Sequence, residues 1–162
     1  MNGGRQVPQQ RLSGSMRGFS LIELLIVVAV ILIIAAIAIP NMLQAKMSAN
    51  ESAAASSIHA INTAEIAYST ANPLIGFSAD LPTLGPTPGA GYIDSALAGG
   101  TKSGYVFTYL PDTSTTPSTA YTLNVDPLTR GVTGRRSFWS SETNVTHYNI
   151  SGPASGNDNV IE

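Results

Sequence analysis

Hydrophobic residues are concentrated in one block near the start of the chain, at residues 19–39. No polar side chain occurs between Leu24 and Ile39. A helix of this length rises by about 30 Å, which is the thickness of the hydrocarbon core of a bilayer. The block contains one charged residue, Glu23, whose insertion penalty of about 3 kcal/mol is outweighed by the surrounding Leu, Ile and Val side chains. The pattern therefore predicts a transmembrane helix over residues 19–39.

A second pattern follows Pro40, where helix-forming polar residues predominate and apolar residues recur at helical spacing. The apolar positions form a narrow stripe of Met47, Ala54, Ile58, Ile61 and Tyr68. We expect this helix to end at Asn72 and Pro73. Because a proline inside a long helix removes one hydrogen bond and bends the axis, Pro40 is expected to kink the helix rather than end it. Residues 40–71 are thus predicted to form an amphipathic helix that packs on a sheet.

The remaining residues, 72–162, are predicted to form a globular head. Proline and glycine are frequent over residues 74–100, which indicates an ordered connecting loop. Four β-prone segments follow, at residues 104–110, 120–125, 136–140 and 145–150. In the first of them the aromatic residues Tyr105, Phe107 and Tyr109 alternate with Val106, Thr108 and Leu110. Short turns between these segments favour antiparallel pairing, so the expected fold class is α+β.

The charge distribution and the composition restrict the kinds of site and partner that the protein can have. Only 11% of the residues are charged and no cysteine is present, so disulfides and thiolate metal sites are excluded. Arg5, Arg11 and Arg17 precede Gly18 without any acidic residue, and the next basic residue is Lys46. The positive-inside rule therefore places the N-terminus in the cytoplasm and the head outside. Removal of the basic stretch would leave an acidic product, which disfavours nucleic-acid binding through bulk charge.

The residues around Gly18 are informative because of their order. An ordinary secretory signal has a small-residue cleavage site after its apolar run, whereas here the small residue comes before the run. The sequence Arg-Gly-Phe-Ser-Leu-Ile-Glu-Leu-Leu at residues 17–25 resembles the class III signal of type IV pilins and type II secretion pseudopilins. The resemblance implies that a prepilin peptidase cuts between Gly18 and Phe19 and methylates the new amine of Phe19. It also implies that Glu23 is the carboxylate used in subunit assembly, and Pro40 falls where many family members have a helix-bending proline.

The same resemblance implies a domain organisation and a set of partners. Residues 1–18 would be a cleaved leader, 19–39 the transmembrane and assembly half of the first helix, 40–71 its amphipathic half and 72–162 the head. The apolar half would protrude from the head. The partners would be identical or homologous pilin subunits, the prepilin peptidase and methyltransferase, and an inner-membrane assembly platform. Before assembly the protein would be a single-pass bacterial inner-membrane protein with a periplasmic head, and afterwards part of a filament in the periplasm or on the cell surface.

Physical chemistry gives independent reasons for two of these roles. Glycine lets an extended backbone enter a narrow protease site, although Gly18 could also be a hinge before a membrane helix. An acidic residue in an apolar helix needs a partner, and the free amine of Phe19 on a neighbouring subunit would neutralise Glu23. The alternative is a Glu23 carboxylate that reaches the lipid headgroups or stays protonated.

A second resemblance concerns the head. Asp126 and Pro127, Gly131, the pattern Gly134-x-Arg136-x-Phe138 and Val145 are spaced as in certain bacterial pilin-like proteins. In those relatives glycine is frequent at the position of Asn144, and aspartate is frequent at the position of Ser141.

Other chemistry has weaker support in the sequence, and neither a cofactor nor a metal is predicted. His59 and His147 are expected to be solvated or hydrogen-bonded rather than ligands. Oxygen ligands for calcium could come from three scattered residues, namely Asp126, Glu142 and Asp158. The pair Arg135 and Arg136, near two aromatic residues, could bind DNA, but we expect it to lie on a solvated edge strand instead. No catalytic constellation occurs, so an enzyme is not predicted.

Two functions from different classes follow from these patterns. The favoured one is a structural subunit of a type IV pilus-like filament, used in adhesion, motility, DNA uptake or as a secretion piston. The alternative is a monomeric, membrane-anchored and exported binding domain. Proteolytic processing at Gly18 would distinguish the filament subunit from the anchored monomer.

Overall fold

The computed structural model describes residues 18–161, so the three arginines of the predicted leader lie outside the described part. The chain divides into two compact units, Met1–Ile39 and Pro40–Glu162. The first helix, α1, extends over Leu21–Ala71 and continues through Pro40, as predicted. It ends where the sequence indicates, because Pro73 cannot continue a helix and the side-chain amide of Asn72 caps the carbonyl of Tyr68 at 3.0 Å.

The head contains an antiparallel sheet of six strands in sequential order. The strands are β1 (Thr101–Lys102), β2 (Tyr105–Pro111), β3 (Tyr121–Pro127), β4 (Ser137–Ser141), β5 (His147–Asn149) and β6 (Asn159–Val160). The four predicted strands are confirmed with small shifts at their ends, and β1 and β6 are short additions. Together with α1 they give the expected α+β, pilin-like fold.

The core of the head lies between the sheet and the second half of α1. Ala54, Ile58 and Ile61 of the predicted stripe are fully buried. The alternation in β2 is also confirmed, because Tyr105 and Phe107 are buried whereas Thr108 and Leu110 are exposed. Further core residues come from the other inner strands, namely Leu123, Val125 and Phe138.

The segment between α1 and the sheet is more structured than the sequence indicates. We expected only a loop over residues 74–100, but it contains two short helices, α2 (Leu81–Leu84) and α3 (Ser95–Ala98). Asp80 and Asp94 accept bonds from backbone N–H groups at the starts of α2 and α3. Their buried leucines, Leu81, Leu84 and Leu97, complete the core. The prediction of a loop was wrong because the many prolines and glycines obscured the pattern of these apolar positions.

Glu51 of α1 connects the helix to the start of β4. Its Oε1 accepts the backbone N–H of Arg135 at 2.8 Å and that of Arg136 at 3.2 Å, and Oε2 pairs with Nε of Arg136 at 2.7 Å. Burial alone would raise the pKa of Glu51, but these bonds outweigh it and hold the pKa below its usual value. The guanidinium of Arg136 also lies 5.6 Å from the ring centroid of Phe138 and 5.5 Å from that of Tyr148. The expectation of a solvated edge strand is therefore wrong, since β4 lies between β3 and β5.

Asn62 forms a second polar contact of α1 with the sheet. Its amide donates to the hydroxyl of Ser140 at 2.9 Å and accepts from the hydroxyl of Tyr121 at 2.9 Å. All three side chains are buried, and these hydrogen bonds satisfy their polar atoms inside the core.

Glu65 forms a third contact, one helical turn further along. Its carboxylate is fully buried and accepts both the backbone N–H and the hydroxyl of Ser78. Ser78 in turn accepts a bond from the hydroxyl of Tyr109 at its carbonyl oxygen, at 3.1 Å. Glu51, Asn62 and Glu65, which we call the polar clamps, fix α1 to three different parts of the head.

Candidate functional site

The candidate site consists of residues 18–23, where the chain enters α1. Gly18 is exposed, and a Cβ atom at its position would have no neighbour within 4 Å. Phe19 is 85% exposed, so its ring makes little contact with the rest of the chain. Residues 18–20 lie outside α1. The bond between Gly18 and Phe19 is therefore on an accessible, non-helical segment.

Glu23 has a role in this structure that the sequence analysis missed. Its Oε2 accepts the backbone N–H of Ser20 at 3.0 Å, and the N–H of Leu24 reaches the carbonyl of Ser20 at 3.2 Å. Ser20 is thus the N-cap of α1, and the return bond from Glu23 is one half of a capping box. The signal was present in the sequence as Ser20-x-x-Glu23 directly before an apolar run. The bond stabilises the first turn and orients the carboxylate towards the chain entering the helix.

The part of α1 that follows is apolar on all sides. Its most hydrophobic window of 18 residues has a mean hydropathy of 3.3, and none of that window is buried. The large side chains from Leu21 to Ile39 have exposed fractions between 47% and 80%. A helix that is hydrophobic all round requires an apolar environment, either lipid or other helices. The motif before it and the helix itself indicate membrane anchoring before any assembly.

The other candidate residues do not form a second site of the predicted kinds. Asp126 and Glu142 lie near opposite ends of β4, since Val125 pairs with Phe138 and Glu142 follows Ser141. Asp158 accepts hydrogen bonds from Ser155 and Asn149 instead. The backbone bond from Ser155 is the main cause that lowers the pKa of Asp158. Within residues 18–161, no three His, Asp or Glu side chains cluster as metal ligands.

The two histidines lie apart from each other. His59 is exposed on α1. The Nδ1 atom of His147 lies 2.8 Å from the carbonyl oxygen of Asp158, and its ring packs edge-on against Trp139 at 5.5 Å between centroids. His59 lies on α1 and His147 lies on β5, so the two histidines belong to different elements.

One deviation from the second resemblance has a structural reason. Asn144 has a φ of 59°, in the left-handed region. Glycine adopts this region without steric cost, and asparagine is among the few other residues that tolerate it. The backbone at this position is therefore one that glycine adopts most readily, and Asn144 is compatible with it.

Comparison with known proteins gives a family match and a similar protein. Residues 14–39 match the prokaryotic N-terminal methylation motif. Over 52 residues the chain is 48% identical to the type IV major pilin protein PilA of Myxococcus xanthus (strain DK1622), which is 32% of this chain. The matched segment spans 24% of that relative's length. No solved structure matches the chain. Together these findings confirm the resemblance to type IV pilins.

Proposed function

We propose that this protein is the precursor of a type IV pilin-like subunit that polymerises into a filament through the apolar part of α1. One observation carries the proposal. The N-terminal methylation motif ends at residue 39, and residues 21–39 within it form a helix whose apolar side chains are exposed on every face. Such a helix suits lipid before assembly and contact with like helices afterwards.

The first step in this proposal is proteolysis. A prepilin peptidase removes the leader at residues 1–18, and the new amine of Phe19 is methylated. The exposure of Gly18 and Phe19 supports this, because a protease binds an extended segment that is free of the fold. The remaining domains are then the two halves of α1, divided at Pro40, and a head over residues 72–162 on the periplasmic side of the inner membrane.

Glu23 carries the second step. Only Oε2 of its carboxylate is used by the cap on Ser20, so Oε1 is free to accept a bond from the Phe19 amine of a neighbouring subunit. Pairing two charges that are both poorly solvated in lipid removes an unfavourable burial and sets the axial register between subunits. The identical subunits, the peptidase and an inner-membrane assembly platform are the partners that this mechanism needs.

The relative in Myxococcus xanthus is described as a type IV major pilin protein. This description supports our proposal that the chain is a major subunit of an extended pilus rather than a subunit of a short secretion pseudopilus. A major subunit should make up most of the protein in filaments sheared from the native host.

Processing and assembly can be tested together. Mass spectrometry of the native protein should show an N-terminus at Phe19, heavier by one methylene unit than the unmodified peptide. Electron microscopy of sheared filaments should show this chain as the main component. An intact Met1 on all of the protein would contradict the filament proposal and favour the anchored monomer.

Variants at Glu23 separate its two contacts. A glutamine can keep the cap on Ser20 but loses the charge, whereas an alanine loses both. Both Glu23→Gln and Glu23→Ala should still be cleaved at Phe19 and inserted, since the change lowers the cost of insertion. Both should lose filaments, because the incoming Phe19 amine then meets no carboxylate. Filaments at the wild-type level from processed Glu23→Gln protein would show that charge pairing is not the cause.

A further inference from the structure

A groove of about 400 Å³ lies at the end of the head where β2 and β4 finish and β3 begins. The register brings these strand ends into one row, because Pro111 pairs with Tyr121 and Thr122 pairs with Ser141. Two carboxylates, an indole and two hydroxyls are among the groups that line it, from Leu110, Asp112, Thr122, Trp139, Ser141 and Glu142. The residues that line it include acids but no base. We call it the acidic groove.

The two carboxylates of the acidic groove are available. Glu142 is exposed and has no hydrogen bond or ion pair within the described residues. The Oδ1 atom of Asp112 accepts the backbone N–H of Ser114 at 2.8 Å. A hydrogen bond with the side chain of Ser114, together with this backbone bond, keeps the pKa of Asp112 below its usual value. Neither carboxylate is paired with a basic side chain in the described part of the chain, and the ring of Trp139 beside them adds a surface that attracts a planar cation.

Most basic side chains beyond Gly18 are already occupied within the subunit. Lys102 pairs with Asp94 at 2.6 Å and Arg136 with Glu51 at 2.7 Å. The guanidinium of Arg130 donates to four acceptors, namely the carbonyls of Arg135, Ile150 and Gly152 and the hydroxyl of Ser137. The side chains of Lys46 and Arg135 have no such partner in the part of the chain that the structure describes, and both residues are exposed.

Arg135 cannot reach the acidic groove of its own subunit. It precedes β4 by two residues and Glu142 follows β4 directly, so the seven intervening steps of extended chain separate them by about 20 Å. The free cation and the free carboxylates therefore lie at opposite ends of the head. Unlike surfaces on the two ends of one protein form head-to-tail contacts that build filaments rather than closed pairs.

We propose that the acidic groove receives the Arg135 guanidinium of a second copy of this chain. The fork of a guanidinium can donate to Asp112 and Glu142 at once, which a lysine ammonium does less well, so Arg135 fits the groove better than Lys46. This contact deepens the proposed function and rests on it, since it is a contact between heads in the filament. It also offsets the charge repulsion between subunits that carry more acids than bases once the leader is removed.

Charge variants of the full chain in the native host test the contact. Arg135→Gln should lower the yield of filaments, and Arg135→Glu should lower it by about tenfold or more, because like charges would meet in the groove. Adding Glu142→Arg to Arg135→Glu should restore the yield. The matched control is Lys46→Glu, which makes the same change in net charge and should not be rescued by Glu142→Arg. A wild-type yield from Arg135→Glu, or equal rescue of both variants, would overturn the inference.

Cross-linking tests the same contact between subunits without changing any charge. The chain contains no cysteine, so Val132→Cys and Thr143→Cys, both at exposed positions near the two surfaces, can be introduced together. In sheared filaments a short bis-maleimide should join them into a ladder of covalent multimers, whereas each single variant should stop at dimers. The two sites flank β4, so a link within one subunit would have to span about 20 Å. Intact filaments without a ladder would overturn this inference alone, whereas absence of wild-type filaments would overturn the proposed function as well.

Discussion

Replacement of Glu51 gives the sharpest test of how the head is held on α1. The carboxylate accepts three bonds, two from backbone N–H groups and one from Arg136. A hydrogen bond to a charged group contributes about 1.5–3 kcal/mol, but a pair with an exposed partner is worth about 0.2–1 kcal/mol. The side chain of Arg136 is 37% exposed, so its share belongs at the lower end. We expect Glu51→Ala to lower the free energy of unfolding by about 3 kcal/mol.

Glu51→Gln separates charge from shape. The amide can still accept the backbone bonds but meets Nε of Arg136 without a charge, so we expect a loss of about 1–2 kcal/mol at neutral pH. The pKa of Glu51 is lower in the folded protein than its usual value of 4.5. Its charge therefore stabilises the fold above pH 4.5, and this contribution is lost as the pH falls through the folded pKa. The difference between wild type and Glu51→Gln should shrink over that interval.

The assay is urea unfolding of the full chain in detergent, followed by the fluorescence of Trp139, the only tryptophan. The matched control is Glu142→Gln, which removes the same charge from an exposed carboxylate and should change stability by less than about 0.5 kcal/mol. If Glu51→Gln lowers the free energy of unfolding by no more than the control does, the proposed stabilisation of the head by Glu51 is refuted. A loss that does not change between pH 7 and acidic pH would show that its charge is not the cause.

Three further changes have clear expected outcomes. Gly18→Arg should leave the fold unchanged, because a side chain there meets nothing, but should block cleavage before Phe19, so that immunoblots of inner membranes show only precursor. Gly76→Ala should destabilise the head by more than about 2 kcal/mol in the same unfolding assay, because the glycine has a φ of 83° and the new Cβ would lie 2.0 Å from the carbonyl oxygen of Ser118. Asn144→Gly should stabilise it by about 0.5 kcal/mol, whereas Asn144→Val should cost about 1 kcal/mol or more, since only glycine adopts this φ without strain.

The elements that the sequence predicts correctly are those with a local cause. The uniform apolar block, the stop at Pro73 and the alternation in β2 each determine a structure over a few residues. The polar clamps could not be predicted in the same way. Glu51 lies on the buried face of α1 but its partner is 85 positions away, and the partner of Asn62 is 78 positions away. A polar residue on a buried helix face is interpretable only once the sheet has brought its partner close.

The functional residues show the same difference between features with a local cause and features that depend on distant residues. Gly18, Phe19 and Glu23 are proposed from a motif in the sequence, and the cap at Ser20 corresponds to the spacing Ser20-x-x-Glu23. The acidic groove does not, because Asp112 and Glu142 become neighbours only through the register of β2, β3 and β4. Arg135 is distinguished from Arg136 by the contacts of each side chain, which adjacent positions in the sequence do not reveal.

The polar clamps also determine how the head responds to a mechanical load. Glu51, Asn62 and Glu65 are spread over 15 residues of α1, or about 20 Å along its axis. Glu51 binds the residues before β4, Asn62 binds β3 and β4, and Glu65 binds the segment before α2. Between them the core residues of α1 are Ala54, Ile58, Ile61 and Ala64, whose apolar contacts are not directional. A force along the axis of α1 therefore acts on the hydrogen bonds of all three polar clamps at the same time and shears them. Sliding of α1 along its axis would have to break all three contacts, so a load on the helix is distributed over several parts of the head.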